Sequence, residues 1–192
     1  MPPQKRIMLE GRLNRRLRAL GMDSYEDYLE YLFSDEQTAG EMVHMIDAVT
    51  TNKTDFFREK DHFDFMAAQI LPGVFGTPWL DERRPLRVWS SACSSGEEAY
   101  TIAMTIADVQ NQNRDLEYRI LGTDVSQRMV ETAEKAVYPL HKIEPVPEDL
   151  RRRYLRRSKD ASARLVRIVP ELRRRTVFYR MNLMTVPYPL KT

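Results

Sequence analysis

The segment Leu86-Arg-Val-Trp-Ser-Ser-Ala-Cys-Ser-Ser-Gly-Glu-Glu-Ala-Tyr100 limits the fold more than any other part of the sequence. It reads as a short strand over Leu86–Ser90, a turn of small residues, and a helix that opens with two glutamates. Strand, tight turn and helix in that order build a ligand site at the carboxyl end of a parallel strand. A helix N-terminus normally favours phosphate, because its amides are unpaired and its dipole is positive. Glu97 and Glu98 place negative charge there, so a polyphosphate is repelled and a ligand bearing an amine is favoured.

The neighbouring patterns extend this unit. The helix after the turn is expected to bury Ile102, Met104, Ile106 and Val109, with Glu97, Glu98, Thr101, Thr105 and Asp108 on its other side. Tyr118–Val125 reads as a second strand ending in an acid. Ser126 reads as the cap of a further helix with Met129, Ala133 and Val137 inside. Residues 145–157 read as a short arginine-rich helix, and Arg164–Val169 and Thr176–Arg180 as strands. Upstream, the pattern is helical. Leu9, Leu13, Leu17 and Leu20 form a stripe ended by Gly21, with Arg12, Arg15 and Arg16 together on its flank. Ser24 caps a second helix with Tyr25, Tyr28, Leu29, Leu32 and Phe33 apolar. A third runs from Glu36 to Ala48, and a fourth follows Asn52–Arg58 with Phe63, Met66, Ala67 and Ile70 apolar. Three prolines and two glycines in residues 72–85 mark a connector. A helical cluster followed by strand–helix–strand–helix–strand predicts an all-helical domain over 1–71 and an α/β domain over 72–192.

Cys93 is the only cysteine, so no internal disulfide forms, and a reducing cytoplasm is the expected compartment. The first residues lack the apolar core of a signal peptide, and no apolar run approaches the ~18 residues of a membrane span. Net charge is +2 but uneven: residues 1–20 hold six basic and one acidic side chain, and residues 151–180 hold twelve basic and two acidic. Such asymmetry suggests anionic partners.

Four groups could carry chemistry. Asp124, 28 residues beyond Gly96, stands where an acid takes ribose hydroxyls in dinucleotide- and methyl-donor folds, although this turn holds one glycine rather than three. An ordinary βα turn with a surface aspartate fits the spacing equally. S-adenosylmethionine, which carries an amine, suits the glutamates. Asn52, Thr54 and Arg58 precede and open a helix, and an arginine is the natural bidentate clamp for the methionine carboxylate; a cap with a surface arginine is the simpler reading. Cys93 sits where a nucleophile elbow would put it, with His141 as the base of a Cys–His hydrolase, but a lone small cysteine is more often packing. The arginine runs 151–153 and 173–175 could meet nucleic-acid phosphates or acidic protein. His44 and His62 lack partners at ligand spacing, so a metal is not expected.

Thr51-Asn-Lys-Thr-Asp-Phe-Phe-Arg-Glu59, Val88–Tyr100, Gly122-Thr-Asp-Val-Ser with Ala-Val-Tyr-Pro139, and Met181-Asn-Leu183 occur in order at suitable spacing. Together they resemble the chemotaxis receptor methyltransferases, the CheR family. The leading helices, with Leu17 and Tyr28-Leu-Glu-Tyr-Leu32, resemble that family's helical domain. The resemblance implies an α/β protein: an N-terminal all-helical domain, then a partial Rossmann-like S-adenosylmethionine-dependent methyltransferase domain with a small β insert near residues 145–175. It implies methyl transfer from S-adenosyl-L-methionine to glutamates on the cytoplasmic helices of chemoreceptors, leaving S-adenosyl-L-homocysteine. Asn52, Thr54, Arg58 and Glu98 would contact the cofactor, with Arg58 at its methionine end as the candidate catalytic residue. Asp124 would hold the ribose, and Asn182 and Leu183 the adenine. Arg12, Arg15 and Arg16 would face the acidic receptor bundle. No nucleic acid partner and no membrane insertion are expected.

The family's sheet has about seven strands, and this sequence carries the first three. The expectation is a fragment of a longer protein, or a missing edge supplied by another chain through self-association at the first strand. Two further readings remain: a nucleic-acid methyltransferase, on the arginine-rich 151–180 segment, and a non-catalytic module that binds S-adenosylmethionine or a receptor. Ala99 stands where the family usually has proline.

Overall fold

The computed structural model describes residues 2–34, 39–75, 77, 85–113 and 117–188. Two compact units emerge. One comprises Met1–Thr51 with Val125–Arg128, the other Asn52–Asp124 with Met129–Thr192. The units divide after Thr51, whereas the sequence placed the division at the connector beyond 71. Most of that connector lies outside the described residues.

The first unit contains α1 (Pro3–Leu20), α2 (Tyr25–Phe33) and α3 (Ala39–Val49). Proline opens α1, where its missing amide costs nothing. Gly21 closes it at φ +69°, a left-handed conformation that lets its own amide reach Arg18 O and the Met22 amide reach Leu17 O. Ser24 caps α2 by accepting the Asp27 amide at 3.0 Å. Leu17, Tyr28 and Leu32 are buried, while Leu29 and Phe33, grouped with the apolar face in the sequence, are exposed. Residues 36–38 of the third expected helix lie outside the described residues.

Buried charge organises this unit. Glu41 is 6% exposed. It accepts Arg16 Nε at 2.7 Å and Tyr28 Oη at 2.9 Å, and Arg16 Nη2 closes a second bond. Burial alone would raise the Glu41 carboxyl, but the hydrogen bonds from Arg16 and Tyr28 outweigh it and hold it below its ordinary value. Arg12 Nη1 donates to Val49 O and Thr50 O, both at 2.8 Å. Two of the three arginines expected on a receptor-facing flank therefore have roles inside the unit, and Arg15 is the exposed one. Glu41→Gln leaves a half-buried guanidinium without its counter-charge and is expected to cost about 2 kcal/mol by denaturant unfolding. Because the folded carboxyl titrates below the unfolded one, this stability is present above about pH 4.3. It is lost as pH falls through the folded value, so the gap between wild type and variant should close in acid.

The second unit opens with the irregular segment 52–59, then α4 (Lys60–Phe65), a π turn (Met66–Ile70) and α5 (Leu71–Phe75). The π turn widens the helix by one residue, so Leu71 is buried and Ile70, expected inside, is 47% exposed. Then come β1 (Leu86–Ser91), α6 (Glu97–Asn113), β2 (Tyr118–Asp124) and α7 (Gln127–Lys135). These are followed by β3 (Val137–Pro139), a 3-10 turn (Leu140–Ile143), α8 (Glu148–Tyr154), β4 (Leu155–Arg157), β5 (Leu165–Ile168), α9 (Pro170–Arg173) and β6 (Thr176–Arg180).

The main sheet is parallel, in the order β1-β2-β6, with Leu86 opposite Tyr118 and Asp124 opposite Arg180. One face, bearing Tyr118, Ile120 and Phe178, is buried under α6; the other carries Arg87, Trp89, Arg119, Val177 and Tyr179 to the surface. Among the described residues β1 pairs only with β2. In α6 the expected polar side fails: Glu97, Thr101 and Thr105 are buried, along with Ala99, Tyr100 and Ala103. Both threonines donate their hydroxyls to carbonyls one turn back, Glu97 O at 2.7 Å and Thr101 O at 2.9 Å, which lets them be buried. The helix is enclosed by the sheet, α4, α8 and α9, which the periodicity of one helix cannot reveal.

The insert is an antiparallel sheet in the order β3-β5-β4. It starts at Val137, earlier than residue 145. Ala136 adopts φ +53° and ends the preceding helix abruptly, so Val137 belongs to a strand and Val130, not Met129, is the buried partner of Ala133. The arginine run is largely bonded within the protein. Arg151 Nη2 donates to Glu144 O, Arg152 Nε to Glu148, and Arg153 pairs with Asp149 at 2.7 Å. Among the described residues no helix is long and apolar enough to cross a membrane, and no group of three or more His, Cys, Asp or Glu could hold a metal ion.

Candidate cofactor site

The three parallel strands end together, and the 91–96 turn leaves β1 beside Asp124 at the end of β2. Its backbone is left-handed at Ala92 (φ +56°), Ser94 (φ +51°) and Gly96 (φ +92°). The sequence offers one glycine where related fingerprints use three; here alanine and serine carry the same conformation, at a cost of about 1 kcal/mol or more each. Gly96 is irreplaceable for a second reason. A Cβ there would lie 2.8 Å from Ala133 Cβ and 3.1 Å from Tyr138 Oη.

Asp124 is 7% exposed, and its Oδ2 accepts the Ser94 amide at 2.8 Å, joining the turn to β2. Ser94 Oγ donates to Asn52 O at 3.2 Å, which brings the start of the 52–59 segment onto the turn. Met181 N donates to Asp124 O at 2.8 Å, which places Asn182 and Leu183 directly after this junction. Asn182 Oδ1 accepts the Met184 amide at 3.0 Å, and Leu183 is 37% exposed. These bonds tie Asn52, Asp124 and the Asn182 segment together through backbone and Ser94.

The two glutamates divide. Glu98 is exposed and accepts Ser90 Oγ at 2.6 Å. Glu97 is 2% exposed and accepts Ser95 Oγ at 2.6 Å. Burial raises the Glu97 carboxyl, only partly offset by the Ser95 bond. Glu98 is thus the exposed carboxylate of the pair and Glu97 the internal one. Thr54 is partly buried, and its carbonyl accepts Lys142 Nζ at 2.9 Å. Arg58 is exposed, and its Nη1 donates to Lys53 O at 3.1 Å, within its own segment rather than to Glu98 or Asp124.

Cys93 is 2% exposed, and its thiol is pushed up to about 12 by burial and by the nearby Asp124 and Glu98 charges. A thiol held protonated and enclosed is packing, not the nucleophile of a hydrolase. The sequence reading missed Ser90 and Ser94, whose hydroxyls and amide hold Glu98, Asn52 and Asp124, and it missed Lys142. Small serines in a turn carry no signal that separates such roles from ordinary turn chemistry.

The residues suit S-adenosylmethionine. Two carboxylates, one exposed at a helix start and one at a strand end, match an amine and ribose hydroxyls, and an exposed arginine matches a carboxylate. Residues 52–192 match the family "CheR methyltransferase, SAM binding domain", and residues 1–50 match "CheR methyltransferase, all-alpha domain". The chain is 34% identical over 189 residues to a chemotaxis protein methyltransferase of Borreliella burgdorferi, covering 97% of this chain and 65% of that protein. It is 34% identical to chemotaxis protein methyltransferase 2 of Pseudomonas aeruginosa, covering 97% and 63%. It is 35% identical to a chemotaxis protein methyltransferase of Escherichia coli, covering 96% and 62%. The chain thus spans somewhat under two thirds of the length of these relatives. With both regions matched, the chain belongs to the CheR methyltransferase family, residues 52–192 being its S-adenosylmethionine-binding domain and residues 1–50 its all-helical domain.

Proposed function

We propose that this protein acts in transferring methyl from S-adenosyl-L-methionine to glutamate side chains on the cytoplasmic helices of chemoreceptors, and that it works in the cytoplasm. The observation that carries this reading is the junction at the strand ends, where Ser94 links Asn52 to Asp124 beside the exposed Glu98. It gathers acceptors for an amine and for ribose hydroxyls at one place.

When bound, S-adenosylmethionine supplies an electrophilic methyl on a sulfonium. The residues of this chain then have positioning work. Glu98 would accept the amine, Asp124 would accept ribose hydroxyls, Arg58 would pair with the methionine carboxylate, and Asn182 and Leu183 would take the adenine. A receptor glutamate is already ionised near neutral pH and needs no general base. Catalysis is therefore orientation and exclusion of water rather than proton transfer, consistent with a site without an acid–base pair among the residues assigned to it. Arg15 is the exposed candidate for an acidic receptor surface, with Arg12 and Arg16 shaping the helix that presents it.

Titration with S-adenosylhomocysteine by calorimetry tests the site. Arg58→Ala removes a charge-assisted pair and is expected to weaken binding about 30-fold, with Arg58→Lys recovering part of it. Equal affinity of wild type and Arg58→Ala would remove Arg58 from the site.

A further inference from the structure

The segment 52–59 carries three of the proposed cofactor contacts, yet it contains neither helix nor strand before Lys60. Phe57 and Glu59 are left-handed, at φ +52° and +55°. Such a segment keeps one conformation only if it is held from outside. At one end Asn52 O accepts Ser94 Oγ. At the other, Phe56 is fully buried edge-on to Tyr138, ring centres 5.0 Å apart, and the Phe57 amide donates to Thr101 Oγ1 at 3.2 Å. Between these anchors stands Lys142. Its Nζ donates to Thr54 O and to Asp55 Oδ1, both at 2.9 Å.

Lys142 comes from the insert, on the 3-10 turn after β3. That turn is pinned by the Leu140 amide on Arg164 O at 2.8 Å and by buried Ile143. The neighbouring Tyr138 donates its hydroxyl to Ser95 O at 2.8 Å in the glycine turn. Insert residues thus grip both halves of the site, Lys142 the 52–59 segment and Tyr138 the 91–96 turn. The Lys142 bond also holds the Asp55 carboxyl below its ordinary value.

We propose that Lys142 is a positioning residue for the cofactor: its ammonium clamps Thr54 and Asp55 so that Asn52, Thr54 and Arg58 are presented together, making the insert a structural part of the cofactor site. This rests on the cofactor reading above. The pair is partly exposed, with Lys142 at 33% and Asp55 at 43%, so the ion pair itself contributes little. The weight falls on the bond to the Thr54 carbonyl, which fixes the backbone between the two anchors.

The test uses the full chain with S-adenosylhomocysteine in calorimetry, and hydrogen exchange without ligand. Lys142→Ala should bind about tenfold more weakly than wild type, Lys142→Arg should stay within about threefold because it keeps the donors, and the thermal midpoints should be close. Amides of residues 52–59 should exchange about tenfold faster in Lys142→Ala, with β2 and α6 unchanged. Binding by Lys142→Ala within twofold of wild type, or an equal loss in Lys142→Arg, overturns the proposal. If wild type itself binds nothing, the cofactor reading fails. The clamp is then judged on exchange alone: faster exchange confined to 52–59 upholds it, and unchanged exchange overturns it.

Discussion

Asp124→Ala should bind S-adenosylhomocysteine at least about 100-fold more weakly than wild type, the largest binding loss of any single change in this site. The substitution removes a carboxylate that does two jobs. One oxygen accepts the Ser94 amide at 2.8 Å in a nearly closed position, and the carboxylate is the proposed acceptor for ribose hydroxyls. Its loss orphans a buried amide and loosens a turn already carrying left-handed residues at 92, 94 and 96. Ser94 Oγ also holds Asn52 O, so the disturbance reaches the 52–59 segment. Asp124→Asn keeps an acceptor for Ser94 but loses charge, and should fall between the two. Calorimetry on the three proteins decides it; binding by Asp124→Ala within threefold of wild type would sink the ribose assignment.

The second large effect concerns folding rather than binding. Gly122 lies in the central strand opposite Phe178. A Cβ at this position would sit 2.4 Å from Phe178 Cδ1 and 3.0 Å from Cys93 Sγ. The ring cannot simply swing away, because Tyr100 packs against it with centres 5.5 Å apart and Phe178 is 5% exposed. Overpacking at a closed position costs about 1–3 kcal/mol for a methyl and more for a branched side chain. Gly122→Ala should lower the thermal midpoint by about 2–12 °C, and Gly122→Val should fail to give a folded, soluble chain. A Gly122→Ala protein melting within 2 °C of wild type would show that Phe178 can yield.

Much of the element order was legible from local pattern. Strand, turn and helix at 86–113, the acid closing β2, and the Ser24 cap all rest on contacts between residues close in sequence, where residue type and spacing decide geometry. The faces of the helices were less legible. Glu97 and Glu98 are adjacent and chemically alike, but the ~100° between successive helical residues buries one and exposes the other. Thr101 and Thr105 look polar in a sequence, yet they close their hydroxyls on the preceding turn and enter the core. Ile70 and Leu71 exchange places because the π turn shifts the phase of the helix by one residue, and nothing in Met66–Ile70 announces it.

The site divides in the same way. Glu98, Asp124 and the group Asn52, Thr54 and Arg58 stood out by their residue types at element boundaries, whereas Asn182 and Leu183 were expected only through the resemblance to the family's motifs. The joining of Asn52 to Asp124 by Ser94 depended on the turn's left-handed backbone. Lys142 meets Asp55 across 87 positions of sequence. By itself the sequence determined the elements, their order, the acidic opening of α6 and the family, since these follow from neighbours and short motifs. The tertiary structure alone decided that Glu97 is buried, which arginines are held inside, and that the insert supports the 52–59 segment. Those outcomes turn on how distant segments pack, and packing is set by shape and burial summed over the whole unit rather than by any local pattern.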